Sequence, residues 1–157
     1  MFNKQEILVK RLNKIEKHYI ALKDYHQLIS EMVSQKNIFD TAVFLTLKIQ
    51  DKAVLDAYLQ RFSSLQDFLG AKIFPLLIEI SGIGSSKMSE VLYHVEKEGI
   101  IDDLSHWIEL KEVRNELEYD YPEELQKALE DLQHCIDSFK KLESYYLNAC
   151  EFAQKYL

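Results

Sequence analysis

The sequence predicts an all-α protein, folded as an antiparallel (up-down) bundle of four to six helices with two long outer helices. Only four Gly and two Pro occur among the 157 residues, which leaves few places for turns. Apolar residues recur at steps of three and four over long stretches, and no stretch alternates as a half-buried strand does. The length fits a single domain, residues 1–157, with a core of ordinary size.

Two long amphipathic helices are predicted at the ends of the chain. Residues 4–35 carry apolar side chains at steps of three and four without a Gly or Pro. A last helix is predicted from Pro122 to about residue 155, with Pro122 in its first turn and Glu123 and Glu124 near its positive end. Two outer helices of similar length favour an antiparallel bundle. The apolar stripe of the last helix consists of Leu125, Leu129, Leu132, Ile136, Phe139, Leu142, Tyr146, Ala149 and Ala153.

Between the outer helices, residues 38–69 are predicted to form another long helix. Its cap is Asn37 or Asp40, whose short polar side chains suit that position. A break is expected near Asp51. Gly70 marks the end of this helix or a kink in it.

Shorter elements are predicted after residue 70. Pro75 has no N–H to donate, so it bends or restarts the helix. A short helix follows at about residues 86–98, and Gly99 suits the left-handed position after its end. Asp102 or Asp103 is expected to cap the helix that comes next.

Charge and composition exclude several classes of function. The net charge of −7 argues against broad coating of nucleic acid, which needs a basic face, although it leaves room for a small basic cleft. Cys135 and Cys150 match neither a disulfide framework nor a zinc site and are expected as reduced thiols of a cytoplasmic protein. His18 and His26 lack a third ligand, so no metal or cofactor is predicted. No apolar run reaches the roughly 18 residues of a membrane span, and no membrane association is expected.

The stretch Trp107–Pro122, W-I-E-L-K-E-V-R-N-E-L-E-Y-D-Y-P, is the least easily explained by packing. On a helical wheel Arg114 falls between Trp107 and Leu110, at the border of the apolar stripe. A guanidinium there must reach water, find a carboxylate or line a cleft. Glu118 lies four residues on and is a local partner for it. The alternative is an arginine that extends from the edge of the core into solvent.

This stretch resembles the signature of HEPN domains, and most closely that of the HepT-like proteins and the related nucleotidyltransferase substrate-binding proteins. Their pattern is Arg-Asn, three variable residues and then His-x-Tyr, often followed by Pro. Here Arg114-Asn115 is followed by Tyr119-Asp120-Tyr121-Pro122, which is predicted to end the helix in a turn. The similarity covers roughly residues 58–132. Further matching features are Arg61-Phe62, Leu65-Gln66-Asp67-Phe68-Leu69-Gly70, Phe74, Glu98-Gly99-Ile100-Ile101 and Trp107.

The resemblance implies roles for individual residues. Active family members are metal-independent ribonucleases, in which Arg114 would bind the scissile phosphate with its bidentate fork and Asn115 would position the cleft. Tyr119 occupies the position of the motif histidine, and a phenol with a pKa near 10 is a poor general base at neutral pH. Tyr121 matches the tyrosine to which a partner enzyme attaches AMP. Its alternative role is packing under the turn. His106 is expected as a core or interface histidine.

Three hypotheses follow. In the first, the chain is a HEPN-like subunit of a toxin-antitoxin or nucleotidyltransferase-partner system. It acts as a dimeric binding and regulatory protein with lost or weakened ribonuclease activity, alongside a small nucleotidyltransferase. The second is an active metal-independent endoribonuclease toxin that cleaves RNA with Arg114 and Tyr119 in a dimer cleft. The third is a structural helical-bundle dimer without a ligand.

Overall fold

The computed structural model describes residues 3–84, 87–120 and 124–157, with the backbone alone over residues 118–120. Helix is the only regular secondary structure in these ranges, so the all-α prediction is confirmed. A π-helical segment, Leu69–Ile73, joins α3 to α4. The α-helices are α1 (Lys4–Gln35), α2 (Thr41–Leu45), α3 (Ile49–Phe68), α4 (Phe74–Ile80), α5 (Met88–Lys97), α6 (Leu104–Asp120), α7 (Leu125–Asp137) and α8 (Phe139–Gln154).

The predicted first helix is confirmed as α1. It begins after Asn3, whose side chain accepts a hydrogen bond of 2.8 Å from the amide of Glu6 and so satisfies a free donor of the first turn. Its innermost residues recur every seven positions, as along the seam of a coiled coil. They are Leu8, Ile15, Leu22 and Ile29, all fully buried. This seam makes α1 the long element on which the bundle is assembled.

The helices next to α1 run antiparallel to it. Contacts that move forward along α1 move backward along both α3 and α8. The Nη1 atom of Arg11 donates to the carbonyl of Lys72, and seven residues later His18 meets Arg61. Towards α8, the ring pairs are Tyr19 with Tyr146 and His26 with Phe139. The antiparallel bundle is therefore confirmed.

The predicted last helix is wrong in one respect. Residues 125–154 form two helices, α7 and α8, which meet at Ser138, where ψ is 2°. The chain turns there because α7 packs along α6, whereas α8 packs against α1 and α4. Among the described helices, α1 alone is therefore a long outer helix, and their number exceeds the predicted four to six. The expected place of Pro122 in a first turn lies outside the described residues.

The predicted helix over residues 38–69 is also divided. The break lies at residues 46–48, between α2 and α3, while Asp51 belongs to the first turn of α3. Asp40 caps α2 by accepting a hydrogen bond of 3.1 Å from the amide of Val43. Of the two residues predicted as caps, Asp40 is thus the one that caps the helix.

The kink predicted near Gly70 and the restart predicted at Pro75 are both found. Gly70 lies inside the π-helical segment, where the amide of Phe74 donates to the carbonyl of Leu69, five residues back. Pro75 then stands in the first turn of α4. A proline suits that place because the first amides of a helix have no partner within it.

The turn between α5 and α6 follows its predicted chemistry. Gly99 has φ +79°, which favours glycine, and the amide of Ile100 donates to the carbonyl of Val95 at 2.9 Å. Asp103 caps α6, since its carboxylate accepts from the amide of His106 at 3.3 Å. Asp102 instead binds side chains of α8.

Two histidines of α1 have pKa values lowered by their surroundings. Nδ1 of His18 lies 3.0 Å from Nη1 of Arg61, a group that can only donate, so Nδ1 must accept. Burial, Arg61 and Lys14 lower the pKa of His18. His26 stacks on the ring of Phe139 with centroids 4.2 Å apart. Burial and Lys140 lower the pKa of His26, against opposing effects of the Ile136 backbone, Glu143 and Asp137.

The free energy of unfolding is expected to decrease as the pH falls below about 6.5, the ordinary pKa of histidine. Both histidines have lowered pKa values in the folded state, so the unfolded chain binds more protons in this range and is favoured by acid. Urea unfolding at pH 7.5 and 5.5 measures the effect. The His18→Gln/His26→Gln double variant should show a smaller change than the wild type. His94→Gln on α5 should keep the wild-type change, and an unaltered change in the double variant would contradict the assignment.

Candidate functional site

Arg114 lies in the middle of α6 and reaches across to α3. Its side chain is 5% exposed. Nη1 donates to the backbone carbonyl of Ser63 at 2.9 Å, and Nη2 donates to the carboxylate of Asp67 in a charge-assisted bond. The guanidinium is therefore bonded to a carboxylate, which is one of the environments that the sequence allowed. It does not extend into solvent. The partner is on another helix rather than at the local position of Glu118, whose side chain is not described.

The ion pair is unequal in its exposure to solvent. The Asp67 side chain is 58% exposed, while the guanidinium of Arg114 is enclosed. Nε of Arg114 is buried and has no hydrogen-bond partner among the described residues. Two of the three guanidinium nitrogens are therefore engaged with α3. The third nitrogen, Nε, is inaccessible to water, so the whole guanidinium is part of the packed interior.

A groove with a volume of about 410 Å³ lies between α3 and α7. We call it the α3–α7 groove. Arg114 and Leu117 of α6 close one end, and the Nζ atom of Lys52 lies 5.4 Å from the ring centre of Phe44 at the other. Polar side chains, including Asp56, line its α3 side. The apolar lining consists of Phe44, Leu55, Leu59, Leu117, Ala128, Leu129 and Leu132.

A second cavity of about 440 Å³ lies on the other side of Asp67. It is bounded by α3, the π-helical segment, α5 and α6, and we call it the α5–α6 cavity. Asn115, an exposed residue, lines this cavity and not the groove. Successive residues of an α-helix point about 100° apart, so Arg114 and Asn115 face different spaces although they are adjacent in sequence. The two motif residues do not meet in one cleft of this chain.

The two motif tyrosines are less fully described. The backbone of Tyr119 belongs to the last turn of α6, so the helix continues where the sequence suggested a turn. Its side chain is not described. Tyr121 lies outside the described residues.

The histidines near α6 have partners away from the groove. Nδ1 of His106 lies 3.2 Å from the hydroxyl of Tyr145, which in turn donates to Asp102 at 3.0 Å. The bond from Lys141 lowers the pKa of the Asp102 carboxyl. His134 on α7 lies 3.4 Å from the carboxylate of Glu109. His106 therefore packs at the contact between α6 and α8, in keeping with the core or interface role predicted for it.

Comparison of the chain with protein-family models, curated proteins and solved structures gives no match. In the described part of the chain, no helix has both the length and the apolar character required to cross a membrane. Within the same ranges, no three His, Cys, Asp or Glu side chains are grouped as metal ligands. Cys135 and Cys150 are free thiols.

Arg114→Ala is expected to reduce the free energy of unfolding by about 1–3 kcal/mol, because it removes two hydrogen bonds and buried packing. The loss should stay below that of a fully buried ion pair, since solvent screens the exposed carboxylate of Asp67. Asn115→Ala is the matched control on the adjacent, exposed residue and should change stability by less than about 0.5 kcal/mol. Urea unfolding measures both. Equal stability of Arg114→Ala and wild type would show that the ion pair does not hold α6 to α3.

Proposed function

We propose that this protein is a HEPN-like binding and regulatory subunit that engages a partner protein and does not cleave RNA. In this proposal it belongs to a toxin-antitoxin or nucleotidyltransferase-partner system, forms a homodimer and binds a small nucleotidyltransferase. The observation that carries it is the engagement of Arg114 with Asp67 and Ser63. Tyr121 remains the predicted position for AMP attachment.

The state of the arginine argues against phosphate binding. A ribonuclease of this kind needs a guanidinium free to make two parallel bonds to the scissile phosphate. In this chain both terminal nitrogens of Arg114 are already bonded, and the side chain is almost completely buried. A phosphate would have to displace the carboxylate of Asp67, or approach it against repulsion between like charges. Both routes weaken substrate binding.

The described lining of the groove offers no group suited to proton transfer. Its charged lining among the described residues consists of Lys52, Asp56, Asp67 and Arg114. None of these has an ordinary pKa near neutrality, which general acid–base catalysis favours. With Tyr119 at the motif histidine position, the groove supports binding better than catalysis.

The shape and charge of the groove suit a protein partner. Its apolar lining provides pockets for apolar side chains, and the exposed carboxylates of Asp56 and Asp67 lie on its α3 side. Leu45 and Ile49, at the end of α2 and the start of α3, are 65% and 80% exposed. Exposed apolar residues next to an apolar groove are typical of an interaction surface. An amphipathic helix with basic flanks fits this combination.

Wild-type protein is expected to show no RNA cleavage above background, with Arg114→Ala indistinguishable from it. The reason is that the guanidinium is engaged and the described lining of the groove contains no histidine or cysteine. Incubation of labelled single-stranded RNA with each folded protein, with and without a chelator, measures this. Cleavage by wild type that a folded Arg114→Ala variant loses would establish the nuclease hypothesis instead.

Leu59→Lys is expected to weaken binding of the partner by at least about tenfold, because it places a charge on the apolar wall of the groove. The measurement is co-purification and calorimetry with a small nucleotidyltransferase from the same organism. Leu147→Lys on α8 is the matched control, since Leu147 is an exposed leucine that does not line the groove. Equal affinities of the two variants would place the interface elsewhere, and no complex with wild type would contradict the partner.

A further inference from the structure

Arg61 of α3 presents a free edge of its guanidinium at the contact between α1 and α3. Its Nη1 atom donates to Nδ1 of His18 at 3.0 Å, in a bond that is partly buried. Nε and Nη2 bond to no described residue, and neither is among the buried atoms that lack a partner, so both reach solvent. The N–H groups of this Nε–Nη2 edge are parallel, which is the geometry that binds two oxygens of one carboxylate or phosphate.

The imidazole of His18 holds this edge in place without neutralising it. A guanidinium can only donate, so Nδ1 of His18 accepts and carries no proton. Arg114 differs, because its partner is the carboxylate of Asp67. Arg61 forms no ion pair with any described residue. Its positive charge is therefore fixed in position and has no carboxylate beside it in the described part of the chain.

A second cation, Lys14, lies near the same imidazole, one turn before His18 on α1. Its Nζ atom is 5.5 Å from the ring centre of Phe68, and that ring centre is 6.3 Å from the imidazole. Burial lowers the pKa of His18 most, and Arg61 and Lys14 lower it further, so both positive charges lie close to the ring. Lys14 likewise forms no ion pair with a described residue. We call Lys14, His18, Arg61 and Phe68 the Arg61 cluster.

We propose that the Arg61 cluster binds the phosphate group of a small phosphate ester. The Nε–Nη2 edge of Arg61 would bond two phosphate oxygens, and the ammonium of Lys14 would balance the remaining charge. A phosphate monoester carries a charge of about −1.5 to −2 at pH 7, which matches two cations. A carboxylate carries one charge and would leave one cation unpaired. Nucleic acids and anionic membranes are extended polyanions, which the net charge of −7 repels.

The chain has three arginines, and the other two offer less to a phosphate. In Arg114 the same edge is closed, since Nη2 is bonded to Asp67 and Nε is buried. Arg11 donates to the carbonyl of Lys72 at the exposed surface, where water competes for its donors. It also lies about 10 Å from His18 along α1, at 1.5 Å per residue. The Arg61 cluster lies outside the groove of the proposed function, and the two assignments are independent.

The Nε–H signals of the three arginines in a ¹⁵N-correlation spectrum distinguish these positions. Labelled wild-type protein is titrated with glycerol 3-phosphate at pH 6.5 and constant ionic strength. The Arg61 signal should shift most, with a Kd on the order of 1 mM, as two charge-assisted hydrogen bonds allow. The Arg114 signal should not move. Acetate should bind about tenfold more weakly, because it carries only one charge and cannot engage both cations.

Two matched pairs of variants test the cluster. Arg61→Lys keeps the charge but loses the two-bond edge, so the affinity should fall about tenfold. Arg11→Lys makes the same change two turns away and should stay within about twofold of wild type, because sites so far apart act almost independently. Lys14→Gln removes one of the two cations and should weaken binding about threefold or more. Lys23→Gln alters another lysine of α1 that lies over an aromatic ring, 6.0 Å from the centre of Tyr19, and should bind as wild type does.

Vesicles of phosphatidic acid present the same phosphate monoester on a membrane, and a single-stranded RNA oligonucleotide presents phosphate along a chain. Co-sedimentation with the vesicles, or tighter binding of the oligonucleotide at Arg61, would overturn the assignment to a small ester. It would equally be overturned by an unmoved Arg61 signal at tens of millimolar ester, a larger shift of Arg114, equal affinities for ester and acetate, or equal losses within either matched pair. If Arg61→Lys does not fold, the lysine pair still decides. Neither the partner complex nor RNA cleavage enters this experiment, so its failure would leave the proposed function untouched.

Discussion

The ion pair between Arg114 and Asp67 is the constraint that organises this part of the bundle. It joins α6 to α3 with a second bond to the carbonyl of Ser63, and one partner is buried while the other faces solvent. Asp67 also borders both the α3–α7 groove and the α5–α6 cavity. The pair therefore separates two spaces and fixes the distance between the helices that form them. Loss of the guanidinium would affect both spaces at once.

Features with a local cause could be predicted from the sequence. The continuous apolar stripe of α1, the cap at Asp40, the left-handed Gly99 and the restart at Pro75 each depend on side chains within a few residues. The division at Ser138 could not be predicted, because the apolar stripe continues through it. Its cause is tertiary, since α7 follows α6 while α8 follows α1 and α4. The local pattern does not specify which helix α7 and α8 will each pack against.

The candidate site shows the same limit. The helical wheel placed Arg114 at the edge of the apolar stripe and implied a carboxylate or a cleft, but the local candidate was Glu118. The actual partner, Asp67, is 47 residues away and becomes a neighbour only because α3 and α6 pack together. The one signal in the sequence for this partner was that Asp67 lies in a segment, residues 65–70, that resembles the family pattern. The divergence of Arg114 and Asn115 was, by contrast, implicit in the 100° step between helical neighbours.

The engagement of Arg114 also determines which chemistry its surroundings can recognise. Two of the five guanidinium N–H groups are bonded to Ser63 and Asp67 and Nε is buried, so little of the group is available to an anion. The exposed charges along the groove include the carboxylates of Asp56 and Asp67. The exposed carboxylates of the groove therefore favour a partner that carries positive charge, in agreement with the net charge of −7. An RNA phosphate is a poor match for such a surface, whereas a helix with basic flanks complements it.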